Sequence, residues 1–427
     1  MHFIIYLQDK TIHSDDGTMN IKINNIVGNF LTLSKFIKLL NGLWAVPYLM
    51  LFRHFSAWIG IRIVCIRADR IGHFPADSAE AICRAEKMND WRVYCLQGKP
   101  VNNQWYKMLK KKLRFCNPLF YLYFYEKRLF RKMILCENAT LHASRDIEGK
   151  FATTTFSQLS FDADDQEKAY EWMLSQGIKQ GDKFICLLVR DNAYMKAHST
   201  SKNQDFSYHN YRDSEIATYE KGIMHLLNEG YWVIRMGRKT NQPLNINHHR
   251  WIDYSQNPSI QSDLMDVWLF SQCNGCISTS SGPDIISAIY NRPLCFINFV
   301  PVSHHWSFVR SVTAPKKLIY KDSKISLTWH EMITHSYMHA IQYEENGIEV
   351  VDLSSDEIRE AFDEFCQMMK GPIKQSKKLL DMERCFIKQL KEHPKSSSLH
   401  GWWHPESKLS SFFLQNHIDL QNMKRSS

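Results

Sequence analysis

The sequence has little glycine and proline, 17 and 13 residues in 427, too few for a collagen-like or low-complexity chain. It also lacks a long apolar run. The best stretch, Leu43 to Phe52, is about half of what a membrane span needs. There is no phosphate loop ending in Gly-Lys-Ser/Thr, no Gly-x-Ser-x-Gly elbow and no His-Glu-x-x-His helix. P-loop phosphotransfer, serine-hydrolase and zinc-protease chemistries therefore lose support. No signal-peptide cleavage pattern is expected at the start. Carboxylates are outnumbered, 44 against 53 Lys and Arg, for a net charge of +9. That surplus favours anionic partners, such as nucleotide phosphates or a phospholipid surface. It is too mild to mark a nucleic-acid binder, and none is expected.

What is present is globular. Hydrophobic residues make up 44% and charged residues 23%, at a length of two or three domains. The eleven cysteines include Cys65, Cys186 and Cys295 within apolar runs, as expected of reduced, buried thiols in a cytoplasmic protein. Cys273 and Cys276 have the spacing of half a zinc site, but no second pair completes it. The pairs His248-His249 and His304-His305 lack i, i+4 ligand spacing, so no metal is expected. Leu43 to Phe52 is flanked by Lys35, Lys38, Arg53 and His54. It either packs on the protein, the favoured expectation, or lies in a membrane interface.

Residues before Phe30 are polar and turn-rich, and Phe30 to Trp58 reads as helix. Ile61–Ile66 and Trp91–Leu96 are β-branched, apolar strands, with a helix opening at Asp77-Ser78-Ala79-Glu80 and running to Lys87. Trp105 to Met133 interleaves basic and aromatic residues, which suits an amphipathic helix pair or a face against anionic headgroups of the inner membrane. From Phe184 onward the alternation sharpens. Strands are expected at Phe184–Val189, Tyr231–Met236, Trp251–Tyr254, Cys276–Thr279 and Leu294–Phe299. Helices separate them, one capped by Asp213 and ended by Gly230. Ser354 to Glu357 is a capping box, and a last helix is expected from Ser407. Strands alternating with helices over short loops make an α/β chain with parallel sheets.

Ligands of such sheets gather at the carboxyl ends of the strands, so the residues there are the candidates. After Cys276–Thr279 come Ser278, Thr279, Ser280, Ser281, Gly282, Pro283 and Asp284. Hydroxyls and a glycine at a helix start suit an anion. Within and after Tyr231–Met236 come Arg235, Gly237, Arg238 and Lys239, a glycine among cations. After Phe184–Val189 come Arg190, Asp191, Asn192 and Tyr194, then a long polar loop with Asp205, Tyr208, His209, Arg212 and Asp213. After Ile61–Ile66 come Arg67, Asp69, Arg70, Gly72 and His73. An imidazole there suits a general base near neutrality, with Asp69 as the competing base and Arg70 as an anion contact.

The ordered combination of the RD at Arg190, the YRDS at Tyr211, the RMG at Arg235 and the STSSGPD at Ser278 resembles a bacterial family of glycosyltransferases found with surface-polysaccharide genes. The RIGHF at Arg70 and the PVNNQW around Asn102 look like the first half of that family. The likeness covers roughly residues 60 to 370. More distantly, the STSSGPD strand-loop-helix is similar to the donor-binding end of GT-B glycosyltransferases, heptosyltransferases among them. The resemblance implies a GT-B fold, two Rossmann-like domains facing across a cleft. Residues 56–180 would be the acceptor side and 181–370 the nucleotide-sugar side. An extension of 1–55 and a helical tail of 371–427 lie outside the matched motifs. It also implies that no catalytic metal and no cofactor is needed, the nucleotide-sugar being a substrate.

The expected reaction is transfer of a sugar to a glycan or lipid-linked glycan hydroxyl at the inner-membrane surface. His73 or Asp69 takes the hydroxyl proton, and Arg70 or Arg212 meets the departing phosphate. Arg190, Asp191, Tyr208, Arg235, Gly237, Arg238 and Ser278 to Asp284 hold the donor. A pyruvyl-type transferase on the same architecture and a non-catalytic glycan-binding protein are the alternatives.

Overall fold

The computed structural model describes residues 35–55, 60–85, 91–140, 145–153, 159–191, 207–373 and 375–416. The stretch before Phe30, the helix end at Lys87, and Asn192, Tyr194 and Asp205 lie outside these residues. So do the side chains of Tyr208 and His209.

The first unit is built on β1 (Ile61–Arg67), β2 (Trp91–Gln97) and β3 (Cys136–Asn138). Its order is β2-β1-β3 and both pairings are parallel. The centre of β1, Ile63 to Ile66, is fully buried, as a strand covered on both faces requires. The helix His73–Ala85 crosses back from β1 to β2. It starts four residues before the expected Asp77, so Asp77 and Glu80 are buried side chains in mid-helix and not solvated acids at its start.

The second unit holds β4 (Phe184–Leu188), β5 (Trp232–Arg235), β6 (Trp251–Asp253), β7 (Gly275–Ser278), β8 (Leu294–Phe299) and β9 (Ser311–Pro315). An antiparallel pair follows, β10 (Lys317–Tyr320) with β11 (Ile348–Val351), and then β12 (Ser407–Leu409). The large sheet runs β12-β9-β8-β7-β4-β5-β6, parallel throughout. From β4 to β9 this is the doubly wound order, and its direction reverses between β4 and β7. The α/β class with parallel sheets therefore stands as expected from the sequence.

Three elements differ from the expectation. Asp213 caps no helix: the helix Glu220–Asn228 follows a 3-10 turn at Ile216–Tyr219, and the Asp213 carboxylate meets Arg190 3.0 Å away. A full cation satisfies that carboxylate better than an orphan N–H. Ser407 opens no helix. Residues 407–409 cover the free edge of β9, whose backbone groups need partners, and the helix begins only at Ser411. Strands β9, β10 and β11 were not expected, being short and, in β9, ending on proline. The basic-aromatic segment also divides. Helix Asn103–Leu109 buries Trp105, Met108 and Leu109, while helix Phe120–Leu129 packs beside the helix at 35–55.

The units share one core. Phe74, Ala79 and Ile82 of the first helix belong to the same buried cluster as Trp268, Ile285 and Phe296 of the second unit. Asn102 Nδ2 donates to the Asp263 carbonyl at 2.9 Å, and the Asn103 N–H to the Asp263 carboxylate at 2.8 Å. A second cluster lies on the opposite face of the large sheet, under helices Glu220–Asn228 and Ser355–Lys370.

Candidate functional site at the meeting of two strand ends

The loop after β1 and the loop after β7 touch. A Cβ on Gly72 would stand 3.1 Å from the Gly282 Cα, so these two backbones approach as only glycines allow. The carboxyl ends of β1 and β7 therefore face each other, and the reversal point of the large sheet lies at the same place. Gly282 also has φ +99°, a left-handed conformation that side chains resist.

On the second unit the β7 loop is folded around Asp284. This fully buried carboxylate accepts from Ser278 Oγ at 2.7 Å and from the Ser281 and Gly282 N–H groups, each at 3.0 Å. Burial pushes its pKa up, while these bonds and the Arg212 charge pull it down. The Ser280 N–H is met by Ser278 Oγ. The N–H groups expected to receive a phosphate are thus occupied from within, because a buried acid three residues on competes for them. Thr279 Oγ1 accepts the Arg190 N–H at 2.9 Å and ties the end of β4 to that of β7.

Arg212 and Arg190 border this loop, and Lys316 and Arg145 lie further out. Arg212 donates to the Ser280 carbonyl at 2.5 Å, and burial and the neighbouring Arg190 push its pKa down. Arg190 pairs with Asp213, and Lys316 pairs with Asp352 at 2.6 Å and donates to the Asp213 carbonyl. Arg145 is buried and donates to the carbonyls of His304 and His305, at 2.7 and 3.2 Å. Burial pushes it down to about 10. Among the described residues neither Arg145 nor Arg212 has a carboxylate in salt-bridge contact. Both lie within electrostatic reach of His304, whose pKa burial and these charges lower to about 3. A buried guanidinium without a carboxylate, as at Arg145, is costly unless an anion joins it.

The other expected cations are placed differently. Arg235 is buried in the sheet, bonded to Asp253 at 3.0 Å and to the Gln242 carbonyl. Arg238 is held by both Asp263 and Asp266, at 2.5 and 2.6 Å, and so answers two carboxylates of its own chain. The Gly237 carbonyl faces Gln261 Nε2 at 3.4 Å. Asp191 accepts the Asn241 N–H at 2.7 Å. A cavity of about 270 Å³ opens at the ends of β4 and β5, lined by Val189, Asp191, Asp213, Glu215, Arg235 and Gln242 among others.

On the first unit, His73 is half-buried at the start of its helix, next to Gly72. Burial lowers its pKa, and Arg67 and Arg70 add to this, while Asp77 one turn on and Asp69 pull it back up. The imidazole is therefore neutral at pH 7 and able to take a proton. Asp77 also accepts from Thr140 Oγ1 at 2.5 Å. Asp69 is exposed and bonded to Arg67 at 2.8 Å. What burial there is raises its pKa, but Arg67 outweighs this and leaves it below the ordinary carboxylate range, a poor base. Arg70 is exposed with no side-chain partner among the described residues. On the helix that begins at His73, buried Glu80 is pushed up to about 7 by burial, opposed by Arg84 and Lys150.

Sequence reasoning missed Arg145, Lys316 and the placement of Asp77. Lys316 follows β9 directly, so recognising that strand would have found it. No local signal marks Arg145. Among the described residues no three His, Cys, Asp or Glu side chains gather as a metal site requires, and all eleven thiols are unbridged.

No family model matches the chain and no curated protein matches it. Among solved structures, E. coli ADP-heptose LPS heptosyltransferase II is similar over 73% of this chain and 100% of its own, at 9% identity and TM-score 0.38. A family 9 glycosyl transferase from Veillonella parvula is similar over 72% and 97%, at 9% identity and TM-score 0.42. The wall teichoic acid polymerase TagF is similar over 83% and 98%, at 12% identity and TM-score 0.24. This chain itself is two parallel α/β units that meet at their strand ends.

Proposed function

We propose that the protein is a glycosyltransferase that moves a sugar from a nucleotide-sugar to a hydroxyl of a surface-polysaccharide or lipid-linked glycan acceptor. The observation that carries this is the contact of Gly72, the neighbour of His73, with Gly282 of the β7 loop, where Arg212 and Arg190 also bond. It supports a reading in which His73 of one unit serves a nucleotide held by cations of the other.

In this reading the nucleotide lies over the ends of β4, β5 and β7, its base or ribose entering the cavity beside Asp191 and Glu215. The diphosphate faces Arg212 and Arg145, with the hydroxyls of Ser280 and Ser281 beside it. His73 accepts the acceptor's hydroxyl proton. The oxygen forms a bond to the anomeric carbon, and the bond from that carbon to the phosphate oxygen breaks with its electron pair. The negative charge that develops on the leaving nucleotide meets guanidiniums already fixed in a dry site, worth a few kcal/mol in the transition state. Asp77, whose charge favours protonated His73, stabilises the imidazolium that forms. No residue is required to bind a metal for these steps.

The test is a thermal-shift screen of the full chain against UDP, GDP, CMP, ADP and TDP, with and without EDTA. A nucleotide at a hundred times its dissociation constant adds about 2.7 kcal/mol of stability. One nucleotide should respond, unaffected by EDTA. Silence across all five from a folded sample would overturn the proposal.

A further inference from the structure

The helix at 35–55 is apolar nearly all round, yet only Ala45 and Leu49 on it are fully buried. Its inner side docks on helix Phe120–Leu129. Tyr125 Oη donates to the Lys38 carbonyl at 2.7 Å, Trp44 meets Tyr121 edge-on, and Arg53 pairs with buried Glu126. Its outer side carries Phe36, Leu39, Leu40, Leu43, Met50 and Leu51, with Leu43 at 74% and Leu39 at 66% exposure. Nine of the sixteen exposed large apolar side chains among the described residues lie on this one helix. Leu129 on the neighbouring helix is exposed as well. Scattered exposed leucines need no explanation, but a contiguous patch marks a binding face.

The charge around the patch selects the partner. The helix at 35–55 has no Asp or Glu and carries Lys35, Lys38 and Arg53. The neighbouring segment exposes Lys127, Arg128, Arg131 and Lys132, and its one acid, Glu126, is buried against Arg53. Trp44 meets both Tyr48 and Tyr121 edge-on, and amphipathic rings of this kind favour a membrane–water boundary. Among the described residues no helix is long and apolar enough to cross a membrane.

We propose that this face, the outer side of helix 35–55 with the cationic end of helix Phe120–Leu129, lies in the surface of an anionic phospholipid bilayer. A helix of this length is about 30 Å long and would lie along the interface, apolar side chains among the acyl chains and cations at the headgroups. The proposal goes beyond the transfer reading and does not depend on it. Bilayer binding stands or falls whether or not a nucleotide binds.

The experiment is co-sedimentation of the full chain with vesicles of phosphatidylcholine alone, and with about one third phosphatidylglycerol added. The chain should sediment with the anionic vesicles, and high salt should weaken the partition by roughly tenfold. The double variant Leu43→Glu with Leu51→Glu, both on the solvent side, should partition at least tenfold more weakly, with an unchanged melting temperature and nucleotide response. Arg128→Glu with Lys132→Glu should lose the preference for anionic over neutral vesicles. The proposal is overturned if the wild type stays in the supernatant, or if the double leucine variant binds as the wild type does. A lipid-free dimer that the leucine variant dissociates would assign the face to a second copy and would also overturn it.

Discussion

At the residue scale, chemistry turns on which charges are already answered. Arg238 and Arg235 are neighbours in sequence and both are met by carboxylates. Arg145 and Arg212 are 67 positions apart and, among the described residues, bond only carbonyl oxygens. Charge-assisted bonds to an anion are worth roughly 1.5–3 kcal/mol. Arg145→Met should therefore weaken nucleoside diphosphate binding by at least tenfold in calorimetry, and leave the nucleoside unaffected. Relief of the buried cation's desolvation offsets the loss of its two carbonyl bonds, so the melting temperature should change little. A large loss of stability would make Arg145 a structural tie instead. His73→Asn should reduce turnover by about 10²–10⁴-fold, the usual contribution of a general base, with nucleotide affinity retained. Because burial lowers the His73 pKa, the acid limb of the pH–rate profile should lie below the ordinary histidine value of 6.5.

At the scale of elements, close approaches outweigh propensities. Gly222 sits within helix Glu220–Asn228, where alanine would gain about 1 kcal/mol of helix propensity. A Cβ there would stand 2.7 Å from Phe362 Cδ2, a ring with no exposure. Overpacking of a rigid core costs roughly 1–3 kcal/mol, so Gly222→Ala should lower stability in a urea titration. Gly282→Ala would force a side chain into a positive φ, although its Cβ would meet Gly72 only at an ordinary 3.5 Å, and should lower stability through that strain. The β7 loop shows how an element can look like a site and be partly self-contained. Its sequence of hydroxyls and glycine was legible as an anion loop, but Asp284 takes two of its N–H groups.

At the scale of the whole molecule, the C-terminal tail is stitched to the second unit through neutral histidines. His305 Nε2 lies 2.8 Å from Ser407 Oγ, and His400 Nε2 lies 2.9 Å from the Ser303 carbonyl. Burial lowers their pKa values to about 3 and about 4. The unfolded chain binds protons at these positions below pH 6.5 while the folded chain does not, so stability falls as pH drops from 6.5 towards 4. By pH 5 each histidine should cost about 2 kcal/mol. Glu80 works in the other direction. Its raised pKa of about 7 stabilises the folded state fully below 4.5, and that contribution is lost as pH rises towards 7. Two histidines outweigh one glutamate, so denaturant midpoints should decline on acidification from pH 7 to 5. A flat profile would mean that these histidines are protonated in the fold.

Local chemistry was enough to specify much of this architecture. The apolar runs at Ile61, Phe184, Tyr231, Cys276 and Leu294 announced buried parallel strands, because β-branched and aromatic residues bounded by turn residues have few other ways to fold. The strand-end rule led from those runs to His73, Arg190, Arg212 and the β7 loop. The tertiary structure decided everything that depends on which distant groups meet. It placed Gly72 against Gly282 and took Asp213 from a helix cap to Arg190. It laid residues 407–409 along the edge of β9 and left the outer side of helix 35–55 bare. Periodicity reports the face a residue shows to its own element. The partner on that face, and hence whether a charge is answered or free, is fixed only when elements far apart in the chain pack together.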